Sequence, residues 1–197
     1  MEATADVISD HGIANTSVTR IIERAGLSRG MVHLHFQSKE DLLVGVARHM
    51  SEQYYAKLDG FLSQAGPKPQ DKLEAIVTAD LSEEILTRKS VNIWYAFRGE
   101  ARSDNAFMAY SDTRDDALRN LIFETYLEIA AQSENPEMLA RDATHGTIAL
   151  LEGMWVDFFL HSDQFNRATA KRIVFRFVAA LFPQAFDLQD GGPEKPN

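Results

Sequence analysis

Asp142-Ala143-Thr144-His145 sets a carboxylate and an imidazole three residues apart, which on a helix is half of a carboxylate-bridged di-metal site. The other half would need a second such unit and further inward-facing glutamates, and the sequence holds neither. With no cysteine there is no thiolate ligand, no cysteine nucleophile and no disulfide. His161 and Asp163 lie at a helix end, where a cap or a solvated pair is the ordinary role, and no nucleophile elbow, phosphate loop or zinc motif occurs. Enzyme and metal chemistry recede, and no cofactor is expected. Two other chemistries remain. Arg29, Gly30 and His33, with Leu34 at the margin, share the outward side of a short segment and would offer hydrogen-bond donors and a bare backbone to another surface. Farther along, Trp94, Phe97, Phe107, Tyr110, Trp155 and Phe159 supply aromatic faces, with Glu152 one helical turn from Trp155 and Asp157 nearby. Aromatic faces beside a carboxylate suit a cationic or quaternary-ammonium ligand, whereas Arg98, Arg114 or Arg119 would anchor an acid. Most aromatics at helical spacing serve packing, but a bundle interior is also a usual seat for a small molecule.

The elements that must position these groups are helical. Apolar residues recur at helical spacing throughout, and no stretch alternates with period two, so the fold class is all-α. A first helix over about 2–10 stops at His11-Gly12. Val18, Ile21, Ile22 and Ala25 form the buried stripe of a second, leaving Thr19, Arg20, Glu23 and Arg24 outside. Gly26-Leu27-Ser28 then makes a tight turn: the glycine takes positive φ, the serine caps the third helix, and Leu27 staples against Val32. That third helix, over 29–36, is about two turns long, and its Gly30 costs about 1 kcal/mol against alanine. Both features make sense if the segment enters a major groove, whose width of roughly 12 Å admits one α-helix. Ser38 caps a long helix on which Leu42, Leu43, Val46, Met50, Tyr54, Leu58 and Phe61 mark one face; at 1.5 Å per residue it is roughly 40 Å long, a strut between two domains. After the break at Gly66-Pro67-Lys68-Pro69 comes a helix burying Leu73, Ile76, Val77 and Leu81. Further helices are expected at 91–101, 105–131, 136–161 and 167–182, with caps at Asp104, Asn135 and Asn166. The expected domains are a helix-turn-helix over 1–48, a helical ligand-binding and pairing domain over 49–187, and a frayed tail over 188–197.

Composition bounds the function. The 197 residues are 45% hydrophobic and 25% charged, ordinary for a folded soluble chain. No run approaches the ~20 apolar residues of a membrane span, the N-terminus does not resemble a signal peptide, and the lack of cysteine suits a reducing cytoplasm, so no membrane partner is expected. A net charge of −9 looks wrong for a nucleic-acid binder, yet residues 1–50 are nearly balanced and the excess lies downstream. A neutral reading head on an acidic body binds a specific site while discouraging loose association.

Thr16-Ser17-Val18, Ile21-Ile22, Ala25-Gly26-Leu27-Ser28, Gly30, His35-Phe36 and Lys39 with Leu42 resemble the DNA-binding pattern of the TetR family. Leu151-Glu152-Gly153-Met154-Trp155 and Asn92-Ile93-Trp94-Tyr95-Ala96-Phe97 are similar to the C-terminal domain of its BetI-like branch, named for a choline-responsive repressor. The resemblance implies a repressor of double-stranded operator DNA. Arg29, Gly30 and His33 would lie at base edges, and Thr16, Ser17, Thr19, His35 and Lys39 would hold phosphates. It also implies a small-molecule effector against Trp94, Phe97, Phe107, Tyr110, Glu152, Trp155 and Phe159. A homodimer is expected too, because one short recognition helix reads few base pairs and a two-fold pair reads two half-sites. Ala149 and Gly153 on one late helix, and Phe175, Val178, Ala179 and Phe182 on the other, are the expected seam. The chain departs from the pattern where His33 and His35 replace common tyrosines, Leu34 replaces a frequent histidine, and no basic arm precedes the first helix. Since Glu2-Ala3-Thr4 reads as helix interior, Met1 is expected to be an internal or truncated start. The rival to the regulator is a helical scaffold protein without operator binding.

Overall fold

A computed structural model of the chain describes residues 1–26, 38–101 and 105–186, with backbone alone for 100–101 and 105–115. Among the described residues it is all-α, with eight helices: α1 Glu2–His11, α2 Val18–Ala25, α3 Lys39–Leu62, α4 Pro69–Asp80, α5 Arg88–Ala101, α6 Asn105–Ile129, α7 Pro136–His161 and α8 Arg167–Leu181. The expected helix at 29–36, the Leu27-Ser28 turn, the Asp104 cap and the tail lie outside the described residues.

Local chemistry sets most of the helix ends. Gly12 closes α1 with φ 73°, and Gly26 closes α2 in the left-handed region at φ 64°, ψ 29°, a conformation that costs a side-chain-bearing residue roughly 1 kcal/mol or more. Ser38 Oγ accepts from the Asp41 amide at 3.0 Å, and Asn166 Oδ1 from the Thr169 amide at 2.8 Å. Asn135 precedes α7 as expected, but its side chain makes no cap hydrogen bond, and Pro136 at the first helical position sets the start instead. α5 begins at Arg88 and not near Val91. Thr87 and Ser90 cap each other's amides, the Thr87 amide donating to Ser90 Oγ at 2.9 Å and the Ser90 amide to Thr87 Oγ1 at 3.0 Å. Serine here does what glutamate does in the usual capping box.

The described chain divides into two compact units. The first comprises residues 1–56 and 87–116. There α1 packs on α2 and on α5, and the Asn92 side chain donates from Nδ2 to the Ser9 carbonyl at 3.1 Å. Val7, Ile21 and Leu42 form one buried cluster, and Ala5, Ile8, Val46, Val91 and Ile93 are buried too.

The second unit comprises residues 57–86 and 117–197. α7 packs on α8, and α4 on α8. A methyl group at Gly146 would run into the Phe177 ring, so Gly146 is where α7 lets α8 approach. Tyr126, fully buried on α6, stacks on Phe182 with centroids 5.5 Å apart, and its hydroxyl lies 2.6 Å from Thr147 Oγ1. Burial outweighs that bond and pushes the phenol up to about 12. The Trp155 indole N–H donates to buried Asp80 at 2.8 Å. At the start of α8, the Arg167 guanidinium donates to the carbonyls of Leu81, Ser82 and Leu86.

Candidate nucleic-acid interface

In the first unit, the loop between α1 and α2 is held by a set of side-chain hydrogen bonds. Ser17 caps α2, its Oγ accepting from the Arg20 amide at 3.3 Å. The Thr16 side chain is buried and donates to the Gly12 carbonyl at 2.8 Å, so it braces the loop. Asn15 donates from Nδ2 to His11 O at 3.1 Å, and its own carbonyl accepts from the Arg20 guanidinium at 2.6 Å. Lys39, half-buried at the start of α3, reaches back to the Ile13 carbonyl at 3.0 Å. Thr19 is exposed on α2. Arg29, Gly30, His33 and His35 lie outside the described residues. Two of the expected phosphate contacts, Thr16 and Lys39, are thus hydrogen-bonded into the loop itself, a role that spacing alone does not reveal.

Charges on α1 are paired. Arg24 is 2.5 Å from Asp10 and 3.8 Å from Asp6; its hydrogen bond holds Asp10 below, and raises Arg24 above, their ordinary values. Glu2 is a three-way junction. Its carboxylate lies 2.9 Å from Lys89 Nζ on α5, and 2.8 Å from His49 Nε2 and from Gln53 Nε2 on α3. The Lys89 hydrogen bond, then those of His49 and Gln53, lower its pKa to about 2 against the opposing effect of burial. Lys89 also reaches Asp6 at 2.6 Å; desolvation works against its charge, but the bonds to Asp6 and Glu2 outweigh it and raise its pKa.

A depressed carboxylate stabilises the fold above its unfolded pKa, and that contribution is lost as pH falls through the folded value. For Glu2 the window runs from the ordinary value near 4.5 down to about 2. Because its side chain is 56% exposed, screening limits the contribution to about 1 kcal/mol or less. The denaturant midpoint of Glu2→Gln should therefore lie below the parent's at neutral pH, and the two should converge near pH 2. Parallel curves across that range would show that the junction carries no net charge energy.

The expected effector residues divide between the units. Trp94 and Phe97 are buried on α5 in the first unit. The side chains of Phe107 and Tyr110 lie outside the described residues. In the second unit Trp155 is buried, Glu152 half-buried and Phe159 44% exposed. The Trp155 indole N–H is met by the carboxylate of Asp80, a residue not among those expected at the site. No sequence signal pairs residues so far apart in the chain. Asp142 and His145 are both exposed, and among the described residues no group of metal-ligating side chains comes together.

The expected seam residues divide as well. Val178, Ala179 and Phe182 are buried in the chain's own core, and Phe175 is half-buried with its ring 6.1 Å from that of Phe186. Ala149 and Gly153 face outward. They continue into Val156 and Leu160, the latter 61% exposed, and α8 turns Ile173 to the outside.

Two family models match the chain: bacterial regulatory proteins of the tetR family over residues 1–46, and the BetI-type transcriptional repressor C-terminal domain over residues 69–183. The HTH-type transcriptional regulator BetI of Stenotrophomonas maltophilia is 25% identical over 178 residues, 90% of this chain and 88% of its own length. The BetI regulator of Paraburkholderia phymatum is 26% identical over 185 residues, 94% and 92% of the two chains. A Pseudomonas aeruginosa protein described as a candidate transcriptional regulator superposes with TM-score 0.83 at 26% identity, covering 93% of this chain and 88% of its own. A regulator from Saccharomonospora viridis, crystallised with choline, shares the fold at TM-score 0.77 and 17% identity, over 90% of this chain and 92% of its own. No helix among the described residues is long and apolar enough to cross a membrane. The chain belongs to the TetR family of bacterial transcriptional regulators, in its BetI-like branch, and is a DNA-binding regulator and not an enzyme.

Proposed function

We propose that this regulator is a cytoplasmic repressor that binds its operator as a homodimer and is released by a small cationic effector. The observation that carries the reading is the loop and helix before the recognition segment: Ser17 caps α2, Gly26 ends it in the left-handed region, and the next residues are Leu27, Ser28, Arg29 and Gly30. In this reading residues 1–48 form the reader. Arg29, Gly30 and His33 meet base edges, Ser17, Thr19, His35 and Lys39 meet phosphates, and Thr16 braces the loop. Residues 49–187 pair the chains and sense the effector.

The outward apolar stripe of Ala149, Gly153, Val156 and Leu160 on α7, with Ile173 on α8, supports an isologous seam. For the effector, buried Asp80 on the Trp155 indole supplies the carboxylate and aromatic surface that hold an alkylammonium group. The choline in the Saccharomonospora viridis structure belongs to the same chemical class. Effector binding then changes the separation of the two reading heads through α3.

The test is a fluorescence-anisotropy titration of the protein with the labelled duplex upstream of its own gene. Tight binding should fall roughly a thousandfold or more between 50 and 200 mM salt if ~6 or more phosphates are neutralised. Added choline should release the duplex. Absence of binding at low salt would favour the scaffold reading.

A further inference from the structure

Arg20 and Arg24 stand one turn apart on the outward side of α2, and the structure gives them opposite circumstances. Arg24 is neutralised by Asp10 and Asp6 from α1. Arg20 is exposed, and its guanidinium donates to an uncharged acceptor, the Asn15 carbonyl, at 2.6 Å. Asn15 is itself held by its bond to His11, and the Lys39 ammonium sits on the carbonyl of Ile13, two residues away in the same loop. Two full positive charges therefore converge on the short stretch Ile13–Asn15, on a chain whose net charge is −9. A main-chain carbonyl orients a guanidinium without cancelling its charge, and one bond leaves most of the five-donor fork unused.

From this arrangement we infer that Arg20 is a phosphate-binding residue, held ready by Asn15, and that Arg24 is a structural ion pair despite the same residue type on the same face. The inference rests on the DNA-binding reading above. In a helix-turn-helix the first helix of the pair crosses the sugar–phosphate backbone, so an outward cation at its start meets phosphate and not base edges. The contact adds affinity without sequence preference, on a chain whose net charge is −9.

The experiment uses the full-length protein and a duplex selected from a random pool on the parent chain, with an unselected duplex of equal length beside it. Arg20→Gln should weaken binding to both duplexes, roughly tenfold for each guanidinium–phosphate bond lost. It should also reduce the magnitude of the slope of log K against log salt by about 0.9 per protomer bound. Arg20→Lys should retain the slope, since the charge remains. A thermal melt separates the alternative: if Arg20→Gln melts lower yet keeps the parent's salt slope, Arg20 merely caps the loop and the inference fails. Loss of binding to the selected duplex alone would make Arg20 a base reader, which also overturns it. If selection on the parent recovers no duplex, the DNA-binding reading fails first and the inference falls with it.

Discussion

Replacing Trp155 by alanine is expected to destabilise the second unit by about 3–5 kcal/mol, the range for deleting a buried large aromatic. The ring is 6% exposed on α7, and its N–H satisfies Asp80, itself only 3% exposed. Two costs combine: the cavity left by the indole, and a buried carboxylate deprived of a donor. Trp155→Phe separates them. The phenyl ring fills most of the space, so the remaining loss of about 1–3 kcal/mol is the hydrogen bond. For a chain of this length the alanine variant should melt roughly 6–20 °C lower, at about 2–4 °C per kcal/mol. A melting point unchanged within a degree for alanine would mean that the indole is not part of the core. Retained folding of Trp155→Phe together with lost choline sensitivity would instead tie the residue to the effector.

Arg167→Ala should rank next. The guanidinium donates to Leu81 O at 2.6 Å, Ser82 O at 3.1 Å and Leu86 O at 2.9 Å, carbonyls of the turn after α4. It also lies 5.1 Å from the centre of the Phe158 ring and 6.0 Å from that of Phe165. Desolvation lowers its pKa and Glu83 opposes this, but an arginine stays charged at any working pH. Removal should cost about 2–4 kcal/mol, because hydrogen bonds from a charged group are worth more than neutral ones and the ring contacts are lost too. Arg167→Lys should recover less than half, since an ammonium cannot serve three oxygens spread along a turn while stacking on rings. The denaturant midpoint reads the total, and faster hydrogen exchange at the Leu86 amide would localise it. An alanine variant as stable as the parent would show these bonds to be replaced by water at no cost.

Much of the helical layout was legible because helices are closed by short-range chemistry. Leu42, Leu43, Val46, Met50, Tyr54 and Leu58 are buried on α3 as their spacing predicts, with Phe61 of the same face half-buried, and Leu73, Ile76 and Val77 on α4 and Leu81 just past its end are buried too. Gly26, Ser38 and Asn166 end or begin helices as their residue types predict. The start of α5 is harder to read, because a Thr-x-x-Ser pair gives a weaker pattern than the usual acidic partner. The loop between α1 and α2 was readable as a motif, but not the internal duties of Thr16 within it and of Lys39 against it.

The faces of α7 and α8 were not readable at all. α7 is apolar on more than one side, so periodicity could not distinguish Leu151, Trp155 and Phe158, which are buried, from Val156, Phe159 and Leu160, which are not. Nor does the sequence single out Gly146, the glycine that receives Phe177 within the chain.

Where the helices run, where they stop and which family the chain joins were determined by residues acting on neighbours within a turn or two, information that a linear string contains. Whether Arg24 meets Asp10 from the neighbouring helix, and whether Trp155 finds Asp80 from 75 positions away, was decided only when the helices packed. The reason is distance: a charge or a ring responds to whatever lies within a few ångströms in space, and packing alone chooses those neighbours.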